Sequence, residues 1–267
     1  MEVPVILFCE TDMDELTVAS VHVPYLGGVL TAYDTERTGD NVLDNDLVFA
    51  IGMCAGYWDA TKQRVVELKR KSVVRCIAPQ WPHCDKIDWA VVWQQEGYEQ
   101  ACWTEFWSKH TDILDSLHEQ ATCNWHDPEE QFATDVNAML AEFEAEFRAQ
   151  GMAYCTDTVS IDPRLLNDVL QINGFLPLHH YRDGTRAPRE HVLTSYLNGM
   201  LAQKLGVELQ DLECPAMKKA TRSSKDAVWT EVEKVAKHTH DPADDAHAIL
   251  CQFAMAKTVL ESHSGTK

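Results

Sequence analysis

An apolar and β-branched run that starts at Gly28, GVLTAYDTE, ends in two carboxylates one residue apart, Asp34 and Glu36. Side chains alternate between faces along a strand, so both acids project from the same face of any sheet this run joins. Two like charges that close repel each other, and burying them at the end of an apolar strand is destabilising unless a cation neutralises them. Hard divalent ions prefer carboxylate oxygens, which makes the strand end a candidate pair of metal ligands. A lone D-x-E at a solvated strand end requires no ion, so the pair gains meaning only from what accompanies it.

The flanking sequence supplies a sheet. DLVFAIGMCAGYWD forms a second predicted strand, ATKQ a turn and RVVELKRKSVV a third strand, an antiparallel meander. The period then changes: in EEQFATDVNAMLAEFEAEFRAQ, Phe132, Val136, Met139, Leu140, Phe143 and Phe147 recur at helical spacing and make one apolar face. GMAYCTDTVSIDPRLLNDVL predicts a short strand through Tyr154 and Cys155, a turn, and a helix opened by Asp162 with Pro163 in its first turn. PREHVLTSYLNGMLAQKLG and DAVWTEVEKVAKH are predicted to be helical, and DPADDAHAILCQFAMAKTVLESH predicts a helix with Asp241 as N-cap and Pro242 at N1. Strands first and helices later, with one strand set between helices, predict an α/β domain with a mixed sheet flanked by helices.

Two more acids join the first pair. Asp162 follows Ile161 at the mouth of the strand-to-helix turn, and His240 precedes Asp245 by five positions in HDPADDA. If Asp241 caps the last helix, Asp245 sits about one turn inside it and His240 on the loop just before, so both can address one cleft. Asp157 ends the same strand that leads to Asp162, but Asp162 has apolar neighbours on both sides and is preferred; His238 is assigned to the surface.

In this order, YDTERTG, SIDPRLLN and HDPADDA resemble the D-x-E-T-G, second-aspartate and H-x-x-x-x-D motifs of the DEDDh family of 3′-to-5′ exonucleases, relatives of oligoribonuclease, ribonuclease T and proofreading domains. The likeness extends over roughly residues 28 to 76 and 128 to 262, with Arg37 and Ile161 departing from the usual residues. It implies a ribonuclease H-like fold of about five strands with the first motif on the central strand, an N-terminal extension over 1–27, and an exonuclease domain over 28–267 with an insertion at about 78–127. It also implies two Mg²⁺ or Mn²⁺ ions held by Asp34, Glu36, Asp162 and Asp245, with His240, titrating near neutrality, as general base. Thr38, Lys218, Lys219 and Arg222 would contact the 3′ end of a nucleic-acid substrate. Residues 1–27 and 78–127 exceed the minimal family core and leave an extra hairpin, a partner site or a homodimer surface as alternatives.

Charge limits how such a chain can engage nucleic acid. With 23 Lys+Arg against 42 Asp+Glu, the net charge is −19, which excludes binding by bulk positive charge. The basic clusters are Lys69-Arg70-Lys71, RDGTRAPR at 182–189 and KKATRSSK at 218–225; the last two could guide a phosphate backbone, with KKATRSSK as a mobile loop. Nine scattered cysteines without a Cys-x-x-Cys predict reduced thiols and a cytoplasmic location, and no apolar run approaches the roughly 20 residues that span a bilayer. Trp103, Phe106 and Trp107 fit one helical face and are assigned to the core, as are most other tryptophans. His118, Cys123 and His126 lack a fourth ligand for zinc. A non-catalytic ribonuclease H-like scaffold or an acidic nucleic-acid mimic is the alternative class; a scaffold has no physical need for clustered, mutually repelling acids.

Overall fold

The computed structural model describes residues 28–39, 47–78, 87–95, 98–121, 127–157, 161–178, 189–207, 212 and 215–262. Five strands form one sheet: β1 (Leu30–Arg37), β2 (Val48–Asp59), β3 (Arg64–Val74), β4 (Ala153–Thr156) and β5 (Arg189–Val192), in the order β3-β2-β1-β4-β5. β1, β2 and β3 pair antiparallel, whereas β4 runs parallel to β1, and β5 parallel to β4. The strand carrying Asp34 and Glu36 is therefore central, as the ribonuclease H-like expectation requires, and the mixed five-stranded sheet is flanked by helices on both faces.

Alternation along β1 separates the two layers. Leu30 and Ala32 face a core built with α6 (Leu193–Leu205), α7 (Pro215–Val232) and α8 (Pro242–Ser262), while Val29 and Tyr33 face one built with α4 (Pro128–Phe147) and α5 (Asp162–Ile172). Asp34 and Glu36 share the parity of Leu30 and Ala32, so they lie on the α8 side; Thr35 lies on the α5 side. A third apolar cluster joins Phe49 and Val74 to Trp89, Trp93, Trp107, Leu114 and Leu117. It belongs to α1 (Trp89–Val92), α2 (Gln100–Glu105), a 3₁₀ turn at Trp107–Lys109 and α3 (Thr111–Gln120).

Helix starts follow their caps. Asp127 accepts from Glu130 N–H at 2.9 Å at the start of α4, and Asp241 accepts from Ala243 N–H at 3.0 Å ahead of Pro242 in α8. Lys69 and Lys71 of β3 pair with Glu142 of α4 at 2.7 and 2.6 Å, so this basic cluster fastens the sheet edge to a helix. Among the described residues no helix is long and apolar enough to cross a membrane, and Cys54, Cys76, Cys102, Cys155 and Cys251 form no disulfide.

Three expectations are corrected. Residues 189–192 form an edge strand rather than the first turn of a helix, because pairing with β4 (Ala153 opposite Arg189) outweighs the helical spacing of its few apolar residues. KKATRSSK is helical, inside α7, and α7 ends at Val232, short of the predicted end at His238. The single helical face expected for Trp103, Phe106 and Trp107 is interrupted at Phe106, yet Trp107 is buried, with Trp103 and Phe106 packed against the same cluster. Most of RDGTRAPR, together with Trp81, Cys123 and His126, lies outside the described residues; His118 packs edge-on against Trp89.

Candidate metal centre

Three separate segments deliver carboxylates to the carboxyl end of β1. Asp34, Glu36 and Asp245 each place one oxygen within 4.8 Å of the others, and Asp34, Asp157 and Asp162 do the same. Asp34 is common to both groups. The sheet accounts for Asp157: Ala32 pairs with Cys155 in the parallel β1–β4 ladder, so two residues further along both strands Asp34 and Asp157 come side by side. Ligands of open α/β sheets collect at such strand ends.

Asp162 reaches the cluster from the first turn of α5, where Pro163 suits the helix start. It is buried, and its carboxylate accepts from the Thr35 hydroxyl and, at 3.3 Å, from that of Thr156. Thr35 thus ties Asp162 to the face of β1 opposite Asp34. Asp245, 2% exposed, accepts from the N–H of Thr239 at 2.8 Å and of His240 at 3.2 Å. That turn puts His240 at φ +62°, the left-handed region that few non-glycine residues occupy, and histidine is among those that do.

Burial and mutual repulsion set the electrostatics. Desolvation raises Asp34 well above the ordinary carboxylate range, and the charges of Glu36, Asp162, Asp245 and Asp157 push it further; Glu36 rises for the same reasons, slightly opposed by Arg37. Burial carries Asp245 to about 6, although His238 pulls the other way. A set of buried and half-buried carboxylates that repel one another fits divalent cations, which supply the missing positive charge.

His240 departs from expectation. Burial, then the imidazoles of His238 and His110, hold it at about 4 rather than near neutrality. Its ring meets Phe106 edge-on at 4.5 Å and lies 5.2 Å from His110. The segment between β3 and α4 therefore forms one wall of the centre. His238 is exposed, as expected, but its Nε2 stands 3.0 Å from Asp245 Oδ2, closer than His240 Nδ1 at 4.0 Å. The H-x-H spacing was the signal for this pairing. His238 joins Trp229 and Ile249 in lining a cleft of about 140 Å³ that Asp34, Asp157 and Asp245 also border.

Thr38 has a different place from the one its motif suggests. It is fully buried, and its hydroxyl accepts from Leu47 N–H at 2.9 Å, so it braces the chain after β1 instead of facing the cleft. Arg222 is exposed on α7; the side chains of Lys218 and Lys219 are outside the described set.

No family model matches this chain, and a search of curated proteins finds no match. Among solved structures it is similar to one described as SSB/Exonuclease I in complex with inhibitor CFAM, at a TM-score of 0.45 and 9% identity, over 87% of this chain and 42% of that one. The chain thus spans less than half the length of that neighbour, and a likeness this low adds nothing to the geometry of the centre itself.

Proposed function

We propose that the protein is a metal-dependent 3′-to-5′ exonuclease that hydrolyses phosphodiester bonds of nucleic acid. The observation that carries this reading is the convergence of Asp34 and Glu36, Asp162, and Asp245 from three distant segments into two carboxylate groups that share Asp34. Two sharing groups suit a pair of Mg²⁺ or Mn²⁺ ions, which in such enzymes neutralise phosphate charge and stabilise the leaving oxygen. Asp34 would serve both ions, Glu36 and Asp245 one, and Asp162 with Asp157 the other. The 3′-to-5′ polarity rests on the resemblance of the three motifs.

His240 is neutral at working pH, since burial holds it at about 4, and a neutral imidazole can accept a proton from an attacking water. An anionic phosphodiester beside the ring would raise its proton affinity during the reaction. Phe106 and His110 pack against the ring and help to fix its orientation.

The test is product length over time with end-labelled single-stranded and duplex DNA and RNA in Mg²⁺. Stepwise shortening from the 3′ end that disappears with Asp34→Ala is the expected result. Full activity of the Asp34→Ala protein refutes the assignment.

A further inference from the structure

We propose that His238, His240 and Asp245 form a second, softer metal site that takes a borderline transition-metal ion such as Zn²⁺, and that filling it excludes the carboxylate-bound magnesium that also needs Asp245. One nitrogen from each imidazole and one oxygen of Asp245 lie within 4.8 Å of one another. Ligand atoms bonded at roughly 2.0–2.1 Å to one tetrahedral ion stand about 3.3 Å apart. The 3.0 Å between His238 Nε2 and Asp245 Oδ2 already meets that spacing, and the 4.0 Å from His240 Nδ1 to the same oxygen closes with a small ring rotation.

Each donor is positioned by something else. The His238 ring packs edge-on to Trp229 at 6.1 Å, His240 against Phe106, and Asp245 is held by two backbone N–H groups. Such outer partners orient ligands and strengthen their metal affinity. Two imidazoles with one carboxylate, and a fourth position open to water, are a donor set for zinc and its neighbours rather than for Mg²⁺, which requires oxygen ligands. The exposed side of His238 and the cleft beneath it give the ion a route in.

Asp245 belongs to two groups at once: with Asp34 and Glu36 it makes a hard oxygen site, and with the two histidines a softer one. A zinc ion on His240 would also occupy the base assigned above. Inhibition of Mg²⁺-driven hydrolysis by Zn²⁺ follows from that sharing, and this consequence rests on the nuclease reading; the binding itself does not.

The experiment measures Zn²⁺ affinity of the full chain by competition with a chromophoric chelator in excess Mg²⁺, for wild type, His238→Gln and Asp34→Asn, with circular dichroism of each. Wild type is expected to bind one ion per chain. Loss of a ligand in His238→Gln should weaken binding by about tenfold to a hundredfold; Asp34→Asn should keep or strengthen it, because that carboxylate is outside the zinc donor set and its loss weakens the competing Mg²⁺. Equal affinity in wild type and His238→Gln overturns the proposal, as does zinc binding lost in Asp34→Asn but kept in His238→Gln. In the nuclease assay, the Zn²⁺ concentration giving half inhibition should rise in His238→Gln by the same factor as the affinity falls. Zinc binding that depends on His238 in a protein with no Mg²⁺-dependent cleavage would leave the metal site standing and remove the nuclease reading alone.

Discussion

Asp34, Glu36 and Asp245 all hold protons more tightly than free carboxylates do, first through burial and then, at Asp34 and Glu36, through one another's charges. A group whose folded pKa lies above its unfolded value contributes stability that is complete below the unfolded pKa and is lost as pH rises through the folded one. For Asp245 that window runs from the ordinary value of 3.8 up to about 6. His240 works in the opposite sense: its contribution is present above 6.5 and is lost as pH falls toward about 4. Asp245 and His240 act in opposite senses and largely offset one another, whereas Asp34 and Glu36 share the sense of Asp245, so without divalent ions the unfolding midpoint should fall as pH rises through the range in which those two acids ionise. Saturating Mg²⁺ should flatten that slope, because the ions take over the neutralising role of the protons. Scanning fluorimetry at four pH values, with and without Mg²⁺, checks this; a midpoint at pH 8 indifferent to Mg²⁺ would remove these acids as ligands. His240→Ala should keep the Mg²⁺-induced rise while slowing turnover by roughly two to four decades, the range for a lost general base.

Where α8 meets the sheet, β2 presents no side chain. A Cβ at Gly52 would lie 2.0 Å from the Pro242 carbonyl carbon and 2.2 Å from its oxygen, and Gly52 is the residue paired with Asp34. The first turn of α8 can rest on the sheet, with Asp245 over β1, only because that position is bare. Gly52→Ala should therefore cost about 1–3 kcal/mol and weaken Mg²⁺ affinity by about tenfold, since α8 must lift as a unit; calorimetric Mg²⁺ titration reads this directly, and unchanged affinity would show that Asp245 is placed by other contacts. The same elements show what was legible beforehand. β1 announced itself by alternation, β2 and β3 by apolar and β-branched runs on either side of a turn, and α5 and α8 by an acid followed by proline, so Asp34, Glu36, Asp162 and Asp245 could each be placed at an element end. β5 could not be read, because four residues at a sheet edge carry less pattern than the helix that follows them. Asp157 and His238 became legible only when pairing fixed what stands beside Asp34 and what the turn before α8 aims at Asp245. Thr38 misled because a motif position gives no account of burial.

Across the whole molecule, a net charge of −19 repels a polyanion, so under the proposed nuclease function a strand would have to be guided by a local surface. Helical structure gives KKATRSSK that geometry. Arg222, Lys225 and Trp229 recur at intervals of three and four along α7, which at about 100° per residue keeps them on one strip. Trp229, at the lower end of that strip, borders the cleft beside Asp34 and Asp245, so the strip leads from solvent to the carboxylates. Bound divalent ions would invert the sign of the centre, leaving the strip to act on the strand a few nucleotides away. Replacing Lys218, Lys219, Arg222 and Lys225 by glutamine should raise KM and leave kcat within about twofold. Each phosphate contact to a single strand contributes about −0.7 to the slope of log affinity against log salt, so the variant should also show a flatter dependence of KM on NaCl. Initial rates between 25 and 300 mM NaCl, approximate bounds spanning the screening range, would decide the matter: unchanged KM at every concentration would mean that the strip is an ordinary solvated face, and a fall in kcat with KM constant would place these charges in the chemistry instead of in guidance.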